Sequence, residues 1–226
     1  MIRTLLFDLD GTLLDTAPDM AWALNRLREE QGRTPLPFED IRSQVSHGSK
    51  ALMHLAFPDL DEASREPLRQ RFLDLYRENL FLDTGLFAGL APVLARAEQL
   101  GCRWGVVTNK PAWLTEPLMD SLGLSTRAAC IVSGDSTPRR KPDPLPLQVA
   151  CEQVGCQPAQ AMYIGDAPRD IEAGRAAGMA TAVALWGYLA PEDDPAAWGA
   201  DHLLGDPREL LRFLPDDTAR RERLLR

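Results

Sequence analysis

Thr4-Leu5-Leu6-Phe7-Asp8-Leu9-Asp10-Gly11-Thr12 joins a short apolar run to two carboxylates one residue apart. The run reads as a buried strand. Side chains at i and i+2 of a strand share a face, so Asp8 and Asp10 are expected to emerge together at its carboxyl end. Gly11 then allows a sharp turn. In an open α/β sheet, ligands bind at that end of the strands. Two neighbouring carboxylates repel unless a cation or a shared proton relieves them, and oxygen ligands suit a hard cation such as Mg²⁺. Alone, Asp-x-Asp-Gly reads equally well as a surface turn. The strand that aims it, and three further pieces downstream, favour a site.

Working outward, the chain divides by pattern. From Thr16 to Asp83 the apolar spacing is helical, with Leu68, Phe72, Leu75 and Tyr76 three to four residues apart. Thr16 is placed to cap the first of these helices, with Pro18 and Asp19 in its first turn. Asp15 and Asp19 accordingly read as structural. Pro67 is tolerable if it falls in a first turn. After Leu90, strand-like and helix-like segments alternate, most helices ending at a glycine: Gly101, Gly123, Gly155 and Gly178. Such alternation predicts an α/β fold, a doubly wound, Rossmann-like parallel sheet with right-handed crossovers. The helical stretch is then an inserted cap domain over residues 16–83, and 1–15 with 84–226 form the α/β core domain. Asp201 to Leu204 is expected as a last strand followed by a helix through Leu211, and the charged tail from Asp216 as a mobile end.

Composition narrows the class. The 226 residues carry a net charge of −8, and the isoelectric point near 5.0 argues against a nucleic-acid or anionic-membrane binder. No apolar run reaches the length of a membrane span, and Asp8 arrives too early for a signal peptide's apolar core. Cys102, Cys130, Cys151 and Cys156 lack CxxC or metal-finger spacing. Their apolar surroundings fit buried free thiols and a cytoplasmic location. His47, His54 and His202 are scattered, so neither a zinc site nor a Ser-His-Asp triad is indicated.

Three downstream pieces carry chemistry. In Val106-Val107-Thr108-Asn109-Lys110 a hydroxyl follows an apolar strand, where the Thr108 side chain and the Asn109 backbone N–H are suited to phosphate oxygens; a helix cap is the other reading of Thr108. Arg139-Arg140-Lys141-Pro142-Asp143 concentrates positive charge in an acidic chain. Tyr163-Ile164-Gly165-Asp166-Ala167-Pro168-Arg169-Asp170 ends a strand in Gly-Asp with a second aspartate four residues on. Asp170 also reads as a first-turn helix acid.

Together with Asp8-Leu9-Asp10-Gly11-Thr12, these pieces in this order resemble the four motifs of the haloacid dehalogenase superfamily in its phosphatase form. The resemblance covers nearly the whole chain, and a cap between the first and second motifs is similar to the phosphoglycolate phosphatase-like branch. It implies Asp8 as nucleophile, Asp10 as general acid and base, Thr108 and Lys141 as phosphate partners, and Mg²⁺ held by Asp8, Asp10, Asp166 and Asp170. Asp170 would ligate the ion directly or orient its waters. Thr12 would steady the loop and, with Asn109, the substrate. Haloacid dehalogenases proper lack the second aspartate, and phosphonatases replace it. Phosphosugar mutases of the β-phosphoglucomutase type keep both aspartates, though their loop typically reads Asp-Gly-Val where this chain has Gly11-Thr12.

The polar cap loop Ile41 to Lys50 is positioned to close over such a site. Its cations Arg42, His47 and Lys50 suit a small phosphorylated metabolite that also bears a carboxylate; an ordinary helix–helix turn is the plain alternative. Phosphoglycolate and N-acetylmuramic acid 6-phosphate both fit. Trp186-Gly187-Tyr188 and Trp198-Gly199-Ala200-Asp201 are similar to bacterial N-acetylmuramic acid 6-phosphate phosphatases of this branch. No nucleic-acid or membrane partner is expected, and the sequence is compatible with a monomer or a homodimer.

Overall fold

The computed structural model describes residues 1–215; the tail expected to be mobile lies outside them. Strands β1 (Thr4–Phe7), β4 (Arg103–Val107), β5 (Ile131–Val132), β6 (Ala161–Gly165), β7 (Ala180–Ala184) and β8 (His202–Leu204) form a parallel sheet ordered β5-β4-β1-β6-β7-β8. All four residues of β1 are buried, as a central strand covered on both faces requires. Leu5 and Phe7 face one apolar cluster, with Leu94, Trp104, Val106 and Ile164. Leu6 faces the other, with Val107, Val132, Leu147 and Tyr163. Helices α5 (Leu90–Gln99) and α6 (Ala112–Ser121) cover the first face; α7 (Leu145–Val154) and α8 (Pro168–Ala176) cover the second. This is the doubly wound α/β arrangement. Strand order departs in opposite directions from β1, so a crevice opens at its carboxyl end.

Between β2 (Leu14–Asp15) and β3 (Gly85–Leu86) lie α1 (Ala17–Glu30), α2 (Phe38–Arg42), a 3₁₀ turn at Val45–His47, α3 (Gly48–Ala56) and α4 (Glu62–Glu78). They share an apolar cluster built on Leu24, Leu27, Leu52, Phe57, Phe72 and Tyr76, which Tyr188 also enters. The two connections do not run loose: β2 and β3 pair antiparallel, Leu14 against Leu86 and Asp15 against Gly85. Asp19 then accepts hydrogen bonds from the Asp83 and Thr84 backbone N–H groups and the Thr84 hydroxyl, at 3.0, 3.1 and 2.7 Å. Among the described residues no helix is long and apolar enough to cross a membrane.

Three local expectations are corrected. Thr16 stands at the N-cap of α1, but its side chain makes no cap bond; the hydroxyl donates instead to Asp10 Oδ1 at 2.7 Å, and hydrogen bonds to carboxylates outrank neutral ones. Pro67 lies inside α4 in its second turn, because the helix begins at Glu62 under an Asp61 cap, so one backbone bond is forgone there. The segment after β8 winds as a 3₁₀ helix over Pro207–Phe213 rather than as an α-helix.

Candidate active site

Asp8 follows β1 directly, Thr108 follows β4, and Asp166 follows β6, so three neighbouring strands deliver their next residues to one place. Lys141 reaches it from the loop after β5. The Lys141 ammonium is buried and lies 2.9 Å from Asp8 Oδ1 and 2.7 Å from Asp170 Oδ1. It also donates to the Tyr163 hydroxyl at 2.7 Å, which itself donates to the Val107 carbonyl. Asp8, Asp166 and Asp170 each offer one carboxylate oxygen within 4.8 Å of the others, and all three are buried. Asp170 additionally accepts from the Ala167 N–H at the start of α8, which fixes its rotamer.

The charges are unevenly balanced. Burial pushes the Asp8 carboxyl upward, but Lys141 and Arg169 outweigh it and leave its pKa below the ordinary value. Asp170 is raised by burial against the pull of Lys141. Asp166 is pushed up to about 7, by burial first and then by the fields of Asp8 and Asp170. Three clustered carboxylates thus share one buried ammonium and the Arg169 guanidinium 4.0 Å from Asp8, and positive charge is short. Hard oxygen donors around a deficit of positive charge fit a divalent metal ion.

Asp10, expected beside Asp8, sends its carboxylate elsewhere: Lys110 Nζ lies 2.9 Å from Oδ1 and the Thr16 hydroxyl also donates to it. β1 ends at Phe7, and the chain then turns through Leu9 and Gly11–Leu13 with Asp10 bridged to Leu14, so the Asp10 carboxylate diverges from that of Asp8 although both residues line one cavity. Gly11 takes φ +79° there, and a Cβ at that position would stand 2.1 Å from Asp166 Oδ2. The Thr12 hydroxyl faces Asp166 Oδ1 at 3.4 Å. Thr108 is buried and accepts from the Lys110 N–H. The Asn109 side chain clamps the Lys141 peptide, donating to its carbonyl at 3.0 Å and accepting from its N–H at 3.1 Å.

Above this floor is a cavity of about 680 Å³, lined by Asp8, Asp10, Thr108 and Arg169 below, and by the Val45–His47 turn, the start of α3 through Lys50, Leu73 and Tyr76 above. His47 and Lys50 are on its wall, and Lys50 also pairs with Glu62 at 3.5 Å. Arg42 lies outside the lining; it donates to the Trp186 carbonyl and stacks 4.9 Å over the Tyr188 ring.

Four participants escaped the sequence reading. Lys110 is buried between Asp10 and the Tyr76 hydroxyl, 2.9 Å from each. Ser46 donates to Asp166 Oδ2 at 2.6 Å from the cap loop, and Arg169 donates to the Ser46 carbonyl at 2.6 Å. Lys110 and Arg169 sat inside the quoted motifs, one position after Asn109 and one before Asp170. For Ser46 and Tyr76 the signal is purely tertiary.

The haloacid dehalogenase-like hydrolase family model matches residues 5–184. A phosphoglycolate phosphatase of Xanthomonas campestris is 46% identical over 208 residues, covering 92% of this chain and 94% of that protein. The N-acetylmuramic acid 6-phosphate phosphatase of Pseudomonas aeruginosa is 45% identical over 214 residues, covering 94% and 95%. Among solved structures, a predicted phosphoglycolate phosphatase from Haemophilus somnus superposes with a TM-score of 0.84 at 26% identity, covering 95% and 98%. With the motif residues converging as they do, the chain belongs to the haloacid dehalogenase-like hydrolase family, among its phosphoric monoester hydrolases.

Proposed function

We propose that the chain is a Mg²⁺-dependent phosphatase that works through an aspartyl-phosphate on Asp8. The observation that carries this reading is the buried Lys141 ammonium, in contact with both Asp8 and Asp170 while Asp166 completes the carboxylate group. Asp8, Asp166 and Asp170 would hold the metal, which when bound supplies charge neutralisation at the phosphoryl oxygens. Asp10, the fourth ligand that the resemblance implies, pairs its carboxylate with Lys110, so the other three carboxylates would form the core of that set.

Asp8 keeps a lowered pKa and so stays an anionic nucleophile at neutral pH. Its oxygen bonds to phosphorus as the ester oxygen leaves. Lys141, the Thr108 hydroxyl and Arg169 are placed to meet charge on the phosphoryl group. Asp10 faces the same cavity and takes the acid–base role: released from its ion pair with Lys110, it would carry a proton to the leaving oxygen and take one from the water that attacks the phospho-aspartate. We read residues 16–83 as the cap domain and 1–15 with 84–226 as the core domain, the cap loop with His47 and Lys50 closing over the leaving group.

Among substrates, the cavity favours N-acetylmuramic acid 6-phosphate over phosphoglycolate. At about 680 Å³ it sits within the range of roughly 300–1,000 Å³ usual for small-molecule pockets, far more than a two-carbon phosphate fills. Its wall joins apolar Leu73, Trp113 and Leu114 to the cations His47, Lys50 and Arg140, which suits a sugar ring carrying a carboxylate. The test is kcat/KM across phosphorylated metabolites including both candidates. Preference for the amino-sugar phosphate supports the reading. Preference for phosphoglycolate overturns the substrate, and conversion of a sugar 1-phosphate to a 6-phosphate with a bisphosphate primer, without phosphate release, overturns the phosphatase.

A further inference from the structure

Helix α7 ends in a Schellman turn. Gly155 adopts φ +71°, the Cys156 N–H donates to the Cys151 carbonyl at 3.0 Å, and the Gly155 N–H to the Glu152 carbonyl at 3.2 Å. This closure brings the residue three before the cap onto the second residue after it, a contact usually made by two apolar side chains. Here both are cysteines, with their sulfurs 3.5 Å apart. Cys151 is buried and Cys156 is partly open to solvent. Cys130 is the third thiol in this apolar cluster.

We propose that Cys151 and Cys156 form a reversible disulfide when the protein meets a hydroperoxide, a modification site distinct from the phosphatase centre. The backbone of the turn already holds the two residues together, so bond formation requires the sulfurs to close their contact and the chain to move little. Cys156 is the accessible partner and is oxidised first. Its sulfur attacks one peroxide oxygen, the O–O bond breaks, and a sulfenic acid and water result. The Cys151 sulfur then attacks the sulfenic sulfur; the S–S bond forms, the S–O bond breaks, and the departing hydroxide leaves as water with the Cys151 proton. Two thiols and one hydrogen peroxide give one disulfide and two waters. Burial pushes the Cys130 and Cys151 thiols up to about 12, which slows their reaction with dilute peroxide; Cys151 reacts with the Cys156 sulfenic acid because its sulfur is already held 3.5 Å away.

The consequence is protective rather than inhibitory. The pair sits at the far end of α7 from Lys141, and the ten residues of that helix rise about 15 Å at 1.5 Å each. The new bond spans one turn already held by hydrogen bonds, so the catalytic floor does not shift. The resolving thiol spares Cys156 from the irreversible sulfinic and sulfonic states.

Peroxide treatment of the whole protein, followed by mass spectrometry of the tryptic peptide that carries both cysteines and not Cys130, tests this. The peptide is expected to lose two hydrogens, to regain them with dithiothreitol, and the oxidised protein to hydrolyse a generic aryl phosphate within a factor of two of the reduced one. In Cys151→Ser the same dose is expected to leave Cys156 with two or three added oxygens. Sulfonate on wild-type Cys156, a cross-link to Cys130, or a peptide untouched by peroxide overturns the proposal. The wild-type measurement stands whether or not the variant folds.

Discussion

Lys110 holds Asp10 by a 2.9 Å ion pair and spends a second hydrogen on the Tyr76 hydroxyl, tying the first motif to helix α4. Asp10 and Tyr76 outweigh burial and raise the Lys110 pKa above its usual value, so the ammonium is charged wherever the protein is folded. Lys110→Met leaves Asp10 facing a mostly buried neutral group and should destabilise by on the order of 3 kcal/mol. Tyr76→Phe removes one neutral partner and should cost about 1 kcal/mol. Chemical denaturation of both variants and of the double variant checks this. Additive losses would show that the three groups do not act together.

Asp166 makes the metal-free protein sensitive to pH in an unusual direction. Its carboxyl titrates near 7 when folded, against 3.8 as its ordinary value. The folded chain therefore binds the extra proton between those limits, and the stability that this group contributes is full below about 4 and is lost as pH rises towards 7. At about 1.4 kcal/mol per pH unit of displacement, the effect is bounded at roughly 4 kcal/mol. Melting temperatures of chelator-treated protein should fall between pH 5 and pH 7.5. Mg²⁺ should reverse the fall, and Asp166→Asn should abolish both responses. A melting temperature that climbs over that interval would contradict the charge deficit assigned to the cluster.

The fold was legible because its signals are local. An apolar run before Asp8, repeated strand–helix alternation after Leu90 and glycines closing α7 and other helices each speak within a few residues. Asp8 and Asp166 follow strand ends and were readable for the same reason; Lys141, in the loop after β5, and Asp170, in the first turn of α8, were placed by the resemblance of their motifs. The direction of the Asp10 side chain was not, since it depends on where β1 stops and on Lys110, 100 residues away. Arg42 shows the same limit. Its charge was visible, but the Trp186–Tyr188 loop that captures it is 144 residues distant in sequence. Helix α1 also looked complete with Thr16 as its cap, and nothing nearby announced that Asp10 would claim the hydroxyl.

Gly11 is the position in the first motif where a methyl group should be least tolerated. Its φ of +79° alone costs a non-glycine residue about 1–3 kcal/mol. The added Cβ would also press on the Asp166 carboxylate and the Tyr188 ring, at 2.1 and 2.8 Å. Gly11→Ala is therefore expected to weaken metal binding beyond its effect on folding. Calorimetric titration with Mg²⁺ at a temperature where the variant remains folded separates the two. Unchanged affinity would mean that Asp166 relaxes without consequence.

Tyr188 replaces the cap that Thr16 does not provide. Its hydroxyl accepts the Thr16 and Ala17 N–H groups at 2.6 and 2.9 Å and donates to Asp15 at 2.8 Å, so a single phenol joins the loop after β7 to the β2–α1 connection. The Tyr188 N–H in turn donates to Asp166 Oδ2 at 3.0 Å. Tyr188→Phe keeps the ring in its apolar cluster but strips two helix-end donors of their acceptor, and should cost about 1–2 kcal/mol, the upper range of an N-cap loss. Because the backbone bond to Asp166 survives the substitution, Mg²⁺ affinity should change less than twofold while hydrogen exchange at Thr16 and Ala17 accelerates. Equal protection of those two amides in both proteins would show that the phenol is not the cap.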